Sequence, residues 1–388
     1  MALGAIAGGP LCAQSKSAGV FDGGDWFASA RYRVESVEQE GPLRDALAST
    51  LRSSAGFETN PDLAIGALAE VEDVHAIGAR KFNSTTNGRS QYSVVPDPDG
   101  TELNQAYLSW HQSGFRARAG RQAIVLDNAR FVGDVAFRQN QQTFDAVTLQ
   151  ATTPGGSRFT YDYLWRVHRP LGDDNPAGVL DMRTNLLNYS LGRLNGDRLS
   201  AYAYLLKFGA GARSTKTFGV SYDGTVDIGP RKLLYRAEYA DQSDYANNPV
   251  AIDVWYANAE IGLRFETLWT VTAGLEVLSG SDTFAFQTPL ATLHKFNGAA
   301  DIFNETPRNG LEDRYVRFYA PIAGLRVTAA WHDFRSERGS QDYGRELDVG
   351  LEWHVTTHWL VGADVADYRA DSFVTDTRKA RMWVQADF

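Results

Sequence analysis

The chain has 388 residues, of which 22% are charged, 12% aromatic and 43% hydrophobic, with glycine frequent and methionine rare. A net charge of −9, with Lys and Arg scattered along the chain, leaves no basic footprint for nucleic acid. No run approaches the ~18 consecutive apolar residues of a membrane-spanning helix, a test that a β-barrel escapes because half of each strand faces water.

Met1 to Ala13 is small and apolar and reads as the remnant of a secretory leader cut after Ala13. It holds Cys12, the one cysteine, so the remaining chain carries no thiol into an oxidising compartment. Residues 14–25 read as a periplasmic lead, and 26–388 as one outer-membrane barrel domain.

Period-two alternation begins at Trp26, with Ala28, Ala30, Tyr32 and Val34 on its face and Arg31, Arg33 and Glu35 on the other. After Glu40-Gly41-Pro42, Leu47, Leu51, Ala55 and Phe57 oppose Thr50, Arg52 and Glu58. Beyond Asn60-Pro61-Asp62, Leu63, Ile65, Ala67 and Val71 oppose Glu70 and Glu72. A polar segment from His75 to Thr101 reads as a long loop, and alternation resumes at Ala106, Leu108 and Trp110. Continuing so, about 18 strands are expected, the last from Arg378 to Phe388 with Val384, Met382 and Phe388 on its apolar face. That strand is expected to close on the first, and its terminal Phe388 to address the barrel-assembly machinery.

Connections also alternate in length. Asn60-Pro61-Asp62, Gln112-Ser113-Gly114, Pro154-Gly155-Gly156, Asn195-Gly196, Gly229-Pro230 and Thr356-Thr357 are short; His75–Thr101, Leu126–Gln141, Pro170–Met182, Gly280–Asp313 and Arg335–Asp342 are long. Short turns at one end and long loops at the other are the outer-membrane arrangement. Eight of nine tryptophans take lipid-facing parity, and Trp26, Trp110, Trp269, Trp353 and Trp359 lie beside short turns, as an aromatic girdle requires. The expected fold is all-β: one transmembrane antiparallel up-and-down barrel with short periplasmic turns and long extracellular loops, in the outer membrane of a Gram-negative bacterium.

Between Arg116 and Val147 lies a denser motif: Gly120-Arg121-Gln122, Leu126-Asp127-Asn128, Arg130-Phe131, Gly133, Arg138-Gln139-Asn140 and Gln142-Thr143-Phe144-Asp145. Weaker echoes follow at Phe296-Asn297-Gly298-Ala299-Ala300-Asp301 and Asn309-Gly310-Leu311-Glu312-Asp313. The motif resembles the alginate-export family of porin-like outer-membrane barrels. The resemblance implies an 18-stranded channel that passes a polyuronate outward, selected by arginines at a constriction.

Read from its residues alone, the segment Asp127–Gln141 holds Phe131, Val132, Val135 and Phe137 and is too apolar to stand in water. Either it folds into the barrel and presents Arg130 and Arg138 to the lumen, or it packs on the rim with Asp127 and Arg130 knitting the loop together. Arg121 has outward parity near the outer end of its strand, where lipopolysaccharide phosphate is as good a partner as a solute.

Inward parity supplies Arg31, Arg33, Arg52, Arg116, Arg118, Arg158 and Arg166 from the first half of the chain. The second half supplies Glu238, Glu260, Glu276, Glu346, Asp348 and Glu352, with Arg236, Arg264, Arg326 and Arg381 interspersed. An arginine row facing a carboxylate row sets a transverse field across a pore, unless the two sets pair along the wall. Asp97-Pro-Asp99-Gly-Thr-Glu102 reads as a solvated turn before a calcium loop, and His354-Val-Thr-Thr-His358 lacks the helix that metal-ligand spacing requires.

The expectation is an outer-membrane channel for passive diffusion of anionic saccharides, or a porin taking up small solutes. It has no enzymatic role and no cofactor, and its partners are outer-membrane lipid and lipopolysaccharide.

Overall fold

Strand meets strand in sequence order around the whole molecule, and the first closes on the last. The computed structural model describes residues 23–61, 63–192, 197–209, 213–246, 248–266 and 268–388. The strands are β1 (Asp25–Gln39), β2 (Ala46–Glu58), β3 (Ile65–Lys81), β4 (Gly100–Gln112), β5 (Phe115–Gln122) and β6 (Thr143–Thr152). Next come β7 (Arg158–His168), β8 (Val179–Ser190), β9 (Arg198–Leu206), β10 (Thr215–Ile228), β11 (Arg231–Asp244) and β12 (Asp253–Arg264). The set ends with β13 (Thr270–Leu278), β14 (Leu311–Ile322), β15 (Leu325–Arg335), β16 (Asp342–His354), β17 (Trp359–Ala370) and β18 (Thr377–Asp387). The expected leader (1–13), residues 14–22 of the expected lead, Asp62 of the first short turn and the Asn195-Gly196 turn lie outside the described residues.

Closure pairs Ser29 with Asp387 at one end of the seam and Gln39 with Thr377 at the other. Phe388 N donates to Ala28 O at 2.8 Å, and Ala28 N returns a bond to Phe388 O at 3.0 Å. A barrel in lipid needs this, because each orphaned backbone group in hydrocarbon costs several kcal/mol. Among the described residues no helix is long and apolar enough to cross a membrane.

Alternation sets the two faces as expected. Trp26, Tyr32, Ile65, Leu108, Phe115 and Leu149 stand exposed on the outer wall, while Arg31, Arg33, Glu35, Glu70 and Glu72 are buried inside. Trp110, Trp269, Trp353 and Trp359 are exposed beside short turns, and Trp383 lies over Gly362, where an added Cβ would meet its ring at 2.1 Å. One boundary differs: β3 continues through His75 to Lys81, pairing Leu47 with Lys81. Above the membrane a strand needs backbone partners but no apolar face, so the polar composition of that stretch does not mark a loop.

The interior is not uniformly wet and charged. Phe131, Tyr202, Tyr204, Tyr256, Phe286 and Leu290 form part of one buried apolar core inside the barrel. Inward tyrosines of β9 and β12 meet apolar residues carried in by the loops 123–142 and 279–310. Burying one such side chain stabilises by roughly 1.5–3 kcal/mol, enough to hold a loop against its entropy only when several act together.

Candidate functional site

Loop 123–142 starts from a glycine that its strand requires. Gly120 has φ +129°, and a Cβ there would sit 2.2 Å from Ala106 O, so no other residue fits this approach of β5 to β4. Gln122 then turns fully inside, donating to Ala146 O at 3.1 Å and accepting from Thr148 Oγ1 at 3.1 Å. The loop leaves β5 pointing into the lumen.

Inside, Arg130 and Phe131 form an anchor. Arg130 makes a two-point contact with Glu276 of β13, Nε to Oε1 at 2.9 Å and Nη2 to Oε2 at 3.3 Å. It also donates to Thr288 Oγ1 and Asn297 Oδ1, both at 3.1 Å. Phe131 meets Tyr202, Tyr256 and Phe286 at ring distances of 5.1, 5.4 and 6.0 Å. Asp127 accepts from Asn188 Nδ2 at 2.6 Å, and Asn128 Oδ1 caps the Arg130 amide at 3.1 Å.

Arg138-Gln139-Asn140 makes a second anchor on the opposite wall. Arg138 Nη1 donates to Glu35 of β1 at 3.1 Å, and its Nη2 to Asp301 at 3.0 Å. Gln139 donates to Thr50 Oγ1 at 2.9 Å and accepts from Arg31 Nε at 2.9 Å, and Asn140 reaches Pro98 O at 3.4 Å. Arg31 further donates to Ala136 O at 2.9 Å and to Arg138 O; Arg33 donates to Phe137 O and pairs with Asp97. Asp97 is 1% exposed, so the expected solvated turn is instead a buried support for this anchor.

Asp301 is the hub joining the two inward loops. It accepts from His294 at 2.8 Å, Arg138 at 3.0 Å and Lys379 of β18 at 3.1 Å. Burial pushes its carboxyl up, but Lys379, His294 and Arg138 outweigh that and hold it well below the usual carboxylate range. Burial, helped by Arg381, lowers the His294 imidazole despite Asp301. For Arg138, burial is overcome by Glu35 and Asp301, which raise its guanidinium. The second loop is seated by β16, where Glu346 Oε1 accepts from Ala300 N at 2.7 Å and Asp348 Oδ2 from Ala299 N at 3.3 Å.

The main motif and its weaker echo therefore dock on each other, through Arg130–Asn297 and Arg138–Asp301. Both readings of the loop are partly met. It folds into the barrel, but Arg130 and Arg138 are buried in protein contacts rather than presented to a solute.

The expected transverse field is also reduced, because neighbours on one face pair across strands only a few ångströms apart. Arg52 pairs with Glu72, Arg236 with Asp223 of β10 at 3.6 Å, Arg317 with Glu260, and Arg326 with Glu352 at 2.6 Å, and Arg236 also meets Glu238 of its own strand at 2.7 Å. Arg381 pairs with Asp364 at 2.6 Å. Arg166 is a correction: a register shift between Leu164 and Arg166 turns it to the outer wall, where it meets Asp181 at 3.0 Å. Alternation cannot announce a bulge.

Four inward arginines have no carboxylate partner among the described residues: Arg116 and Arg118 on β5, Arg158 on β7 and Arg264 on β12, all toward the short-turn end. Arg118 lies over the Tyr107 ring at 5.4 Å, and its Nε is buried without an acceptor. Sequence reasoning passed over Lys295 and Arg317. Together with Glu260, Asp313, Tyr315 and His332 they line a cavity of about 160 Å³ left beside the second loop. The inward parity of Glu260, Glu276 and Asp348 and the echoes at Phe296–Asp301 and Asn309–Asp313 were the signals pointing there.

A closed 18-stranded antiparallel barrel with short turns at one end, long loops at the other and two loops folded inward defines an outer-membrane channel of a Gram-negative bacterium. The family model for alginate export matches residues 28–316, and the chain belongs to that family. Among solved structures it is similar to OccAB4 of Acinetobacter baumannii, with a TM-score of 0.76 and 14% identity over 94% of this chain and 98% of that one. It is also similar to OccK8 (OprE) of Pseudomonas aeruginosa, at 0.75 and 14% over 96% and 99%. OpdK of the same organism, solved with vanillate, gives 0.72 and 14% over 95% and 100%. A search of curated proteins found no match.

Proposed function

We propose that this channel conducts anionic saccharides by passive diffusion, in the manner of alginate export. The observation that carries the reading is the set of arginines without a carboxylate partner among the described residues, Arg116, Arg118, Arg158 and Arg264, at the periplasmic end of the lumen. A uronate leaving the periplasm meets these first, and guanidinium groups replace its lost hydration with charge-assisted, two-point contacts. Flow follows the concentration gradient, so the reading involves no bond-making step and no cofactor.

A second reading is a porin that takes up small organic anions. Its support is the narrowing of the lumen by the loops 123–142 and 279–310, pinned at Glu35, Glu276 and Asp301. The likeness to OpdK, solved with vanillate, points the same way.

Single-channel recording in a planar bilayer separates the two. Under a salt gradient the reversal potential should report anion preference, and oligouronates should block from the periplasmic side. The triple substitution of Arg116, Arg118 and Arg158 by Ala should weaken both. Cation preference with no oligouronate block would remove the saccharide reading; block by small aromatic carboxylates alone would favour the second.

A further inference from the structure

On the outer wall of β5 to β10, near their extracellular ends, cations outnumber carboxylates. Arg121, Asp145, Arg166 and Asp181 form one cross-strand row on β5 to β8, register pairing each with the next. Arg121 Nε meets Asp145 at 2.8 Å, and Arg166 Nε meets Asp181 at 3.0 Å. Arg183, two residues beyond Asp181, shares its outward face, and its amide donates to Lys207 O at 2.8 Å. Lys216 of β10 pairs in register with Leu205, whose face Lys207 continues. Arg183, Lys207 and Lys216 have no side-chain hydrogen bond or ion pair among the described residues. With Asp173 of the loop 169–178, which meets His168 at 3.5 Å beside Asp145, five cations stand against three carboxylates and leave an excess of two positive charges, on a chain whose overall charge is −9.

The other side of the barrel differs at the same level. There Arg314 meets Glu312, Arg335 and Arg345 meet Asp333 at 3.0 and 3.3 Å, and Arg369 meets Asp367 and Asp376 at 3.1 and 3.0 Å. Every arginine in that sector has a carboxylate in the plane of the wall. An outer wall can therefore carry outward arginines at its rim and still be neutral, and the β5–β10 sector is not.

Below the basic belt, toward the membrane, the same strands present Leu149, Trp165, Phe218 and Val220, each more than a third exposed. Apolar surface under a row of cations matches an amphiphile with acyl chains below and anionic groups above. Six strands at ~4.8 Å spacing make the belt about 24 Å wide, broad for the single phosphate of one phospholipid.

We propose that the outer wall of β5 to β10 is a binding site for a phosphorylated glycolipid of the outer leaflet, held at its phosphates by Arg183, Lys207 and Lys216. Arg121 and Arg166, each already sharing a carboxylate, flank the site. It stands independently of what the lumen conducts.

The test uses the purified full chain in detergent, offered bisphosphorylated lipid A, dephosphorylated lipid A or phosphatidylglycerol, with retained lipid counted by native mass spectrometry. The wild-type chain should retain the phosphorylated glycolipid at least about tenfold over its dephosphorylated form, since only the phosphates give the three cations an anionic partner. Combining Arg183→Gln, Lys207→Gln and Lys216→Gln should abolish that preference, whereas Arg314→Gln with Arg345→Gln should leave it intact. Heat-modifiability on gels confirms closure, and the three single variants carry the test if the triple one fails to close. Equal retention of both lipid A forms, or an unchanged triple variant, would overturn the proposal. Phosphatidylglycerol retained as well as phosphorylated lipid A would also overturn it, by showing a surface that reads charge alone.

Discussion

Arg138 of the loop 123–142 and Glu35 of β1 meet at 3.1 Å, although 103 residues separate them, and both are almost fully buried. The same guanidinium reaches Asp301 of the second inward loop at 3.0 Å. One side chain thus ties the barrel wall to both loops that narrow the lumen. Removing one partner of a buried ion pair is far more damaging than the pair's net contribution, because the other charge stays desolvated.

Arg138→Ala should therefore release the inner loops rather than unfold the barrel, whose strands are hydrogen-bonded independently of it. The expected destabilisation of loop docking is roughly 3–5 kcal/mol, seen as larger and noisier single-channel conductance. A conductance equal to wild type would show that the latch does not hold the constriction.

Phe131→Ala empties the centre of the interior core, where the ring meets Tyr202, Tyr204 and Phe286. The loss should be about 3–5 kcal/mol, as for other buried aromatic truncations. Protease sensitivity of the loop 123–142 should rise while heat-modifiability of the barrel is kept. If cleavage is no faster than in wild type, the core does not anchor the loop.

Gly120→Ala forces a Cβ to 2.2 Å from Ala106 O at a φ of +129°. The conformational penalty alone should exceed about 1 kcal/mol, with β5 displaced from β4 and slower assembly into bilayers. Wild-type assembly kinetics would show that β4 gives way easily.

Acid should loosen the latch. His294 is held below its ordinary 6.5, so the docked state resists its protonation while a released loop does not. Docking is then fully favoured above pH 6.5 and weakens as pH falls below it. Asp301 is held well below 3.8, so its contribution is present above that value and lost only in stronger acid. Mean conductance should rise between pH 7 and pH 5 in wild type and less so in His294→Gln. A flat wild-type profile would be falsifying evidence for this linkage.

Much of the architecture was legible in the residues. Alternation from Trp26 onward assigned the lipid face, because a strand in a half-wet wall must repeat every two residues. The parity of short and long connections oriented the barrel. The end of β3 was not legible, since polar side chains above the membrane look alike in strand and loop. Arg166 was misplaced for a different reason: one extra residue in a bulge inverts parity without changing composition.

The residues by themselves determined that the chain forms a closed wall, apolar outside, with arginines and carboxylates turned inward, and that the segment around Phe131 had to leave water. Only the tertiary structure decided which charges meet. It buried Arg130 against Glu276 and Arg138 between Glu35 and Asp301, and left Arg116, Arg118, Arg158 and Arg264 without carboxylates. The reason is that strand register is a local, periodic property, whereas pairing depends on where two long loops come to rest in three dimensions.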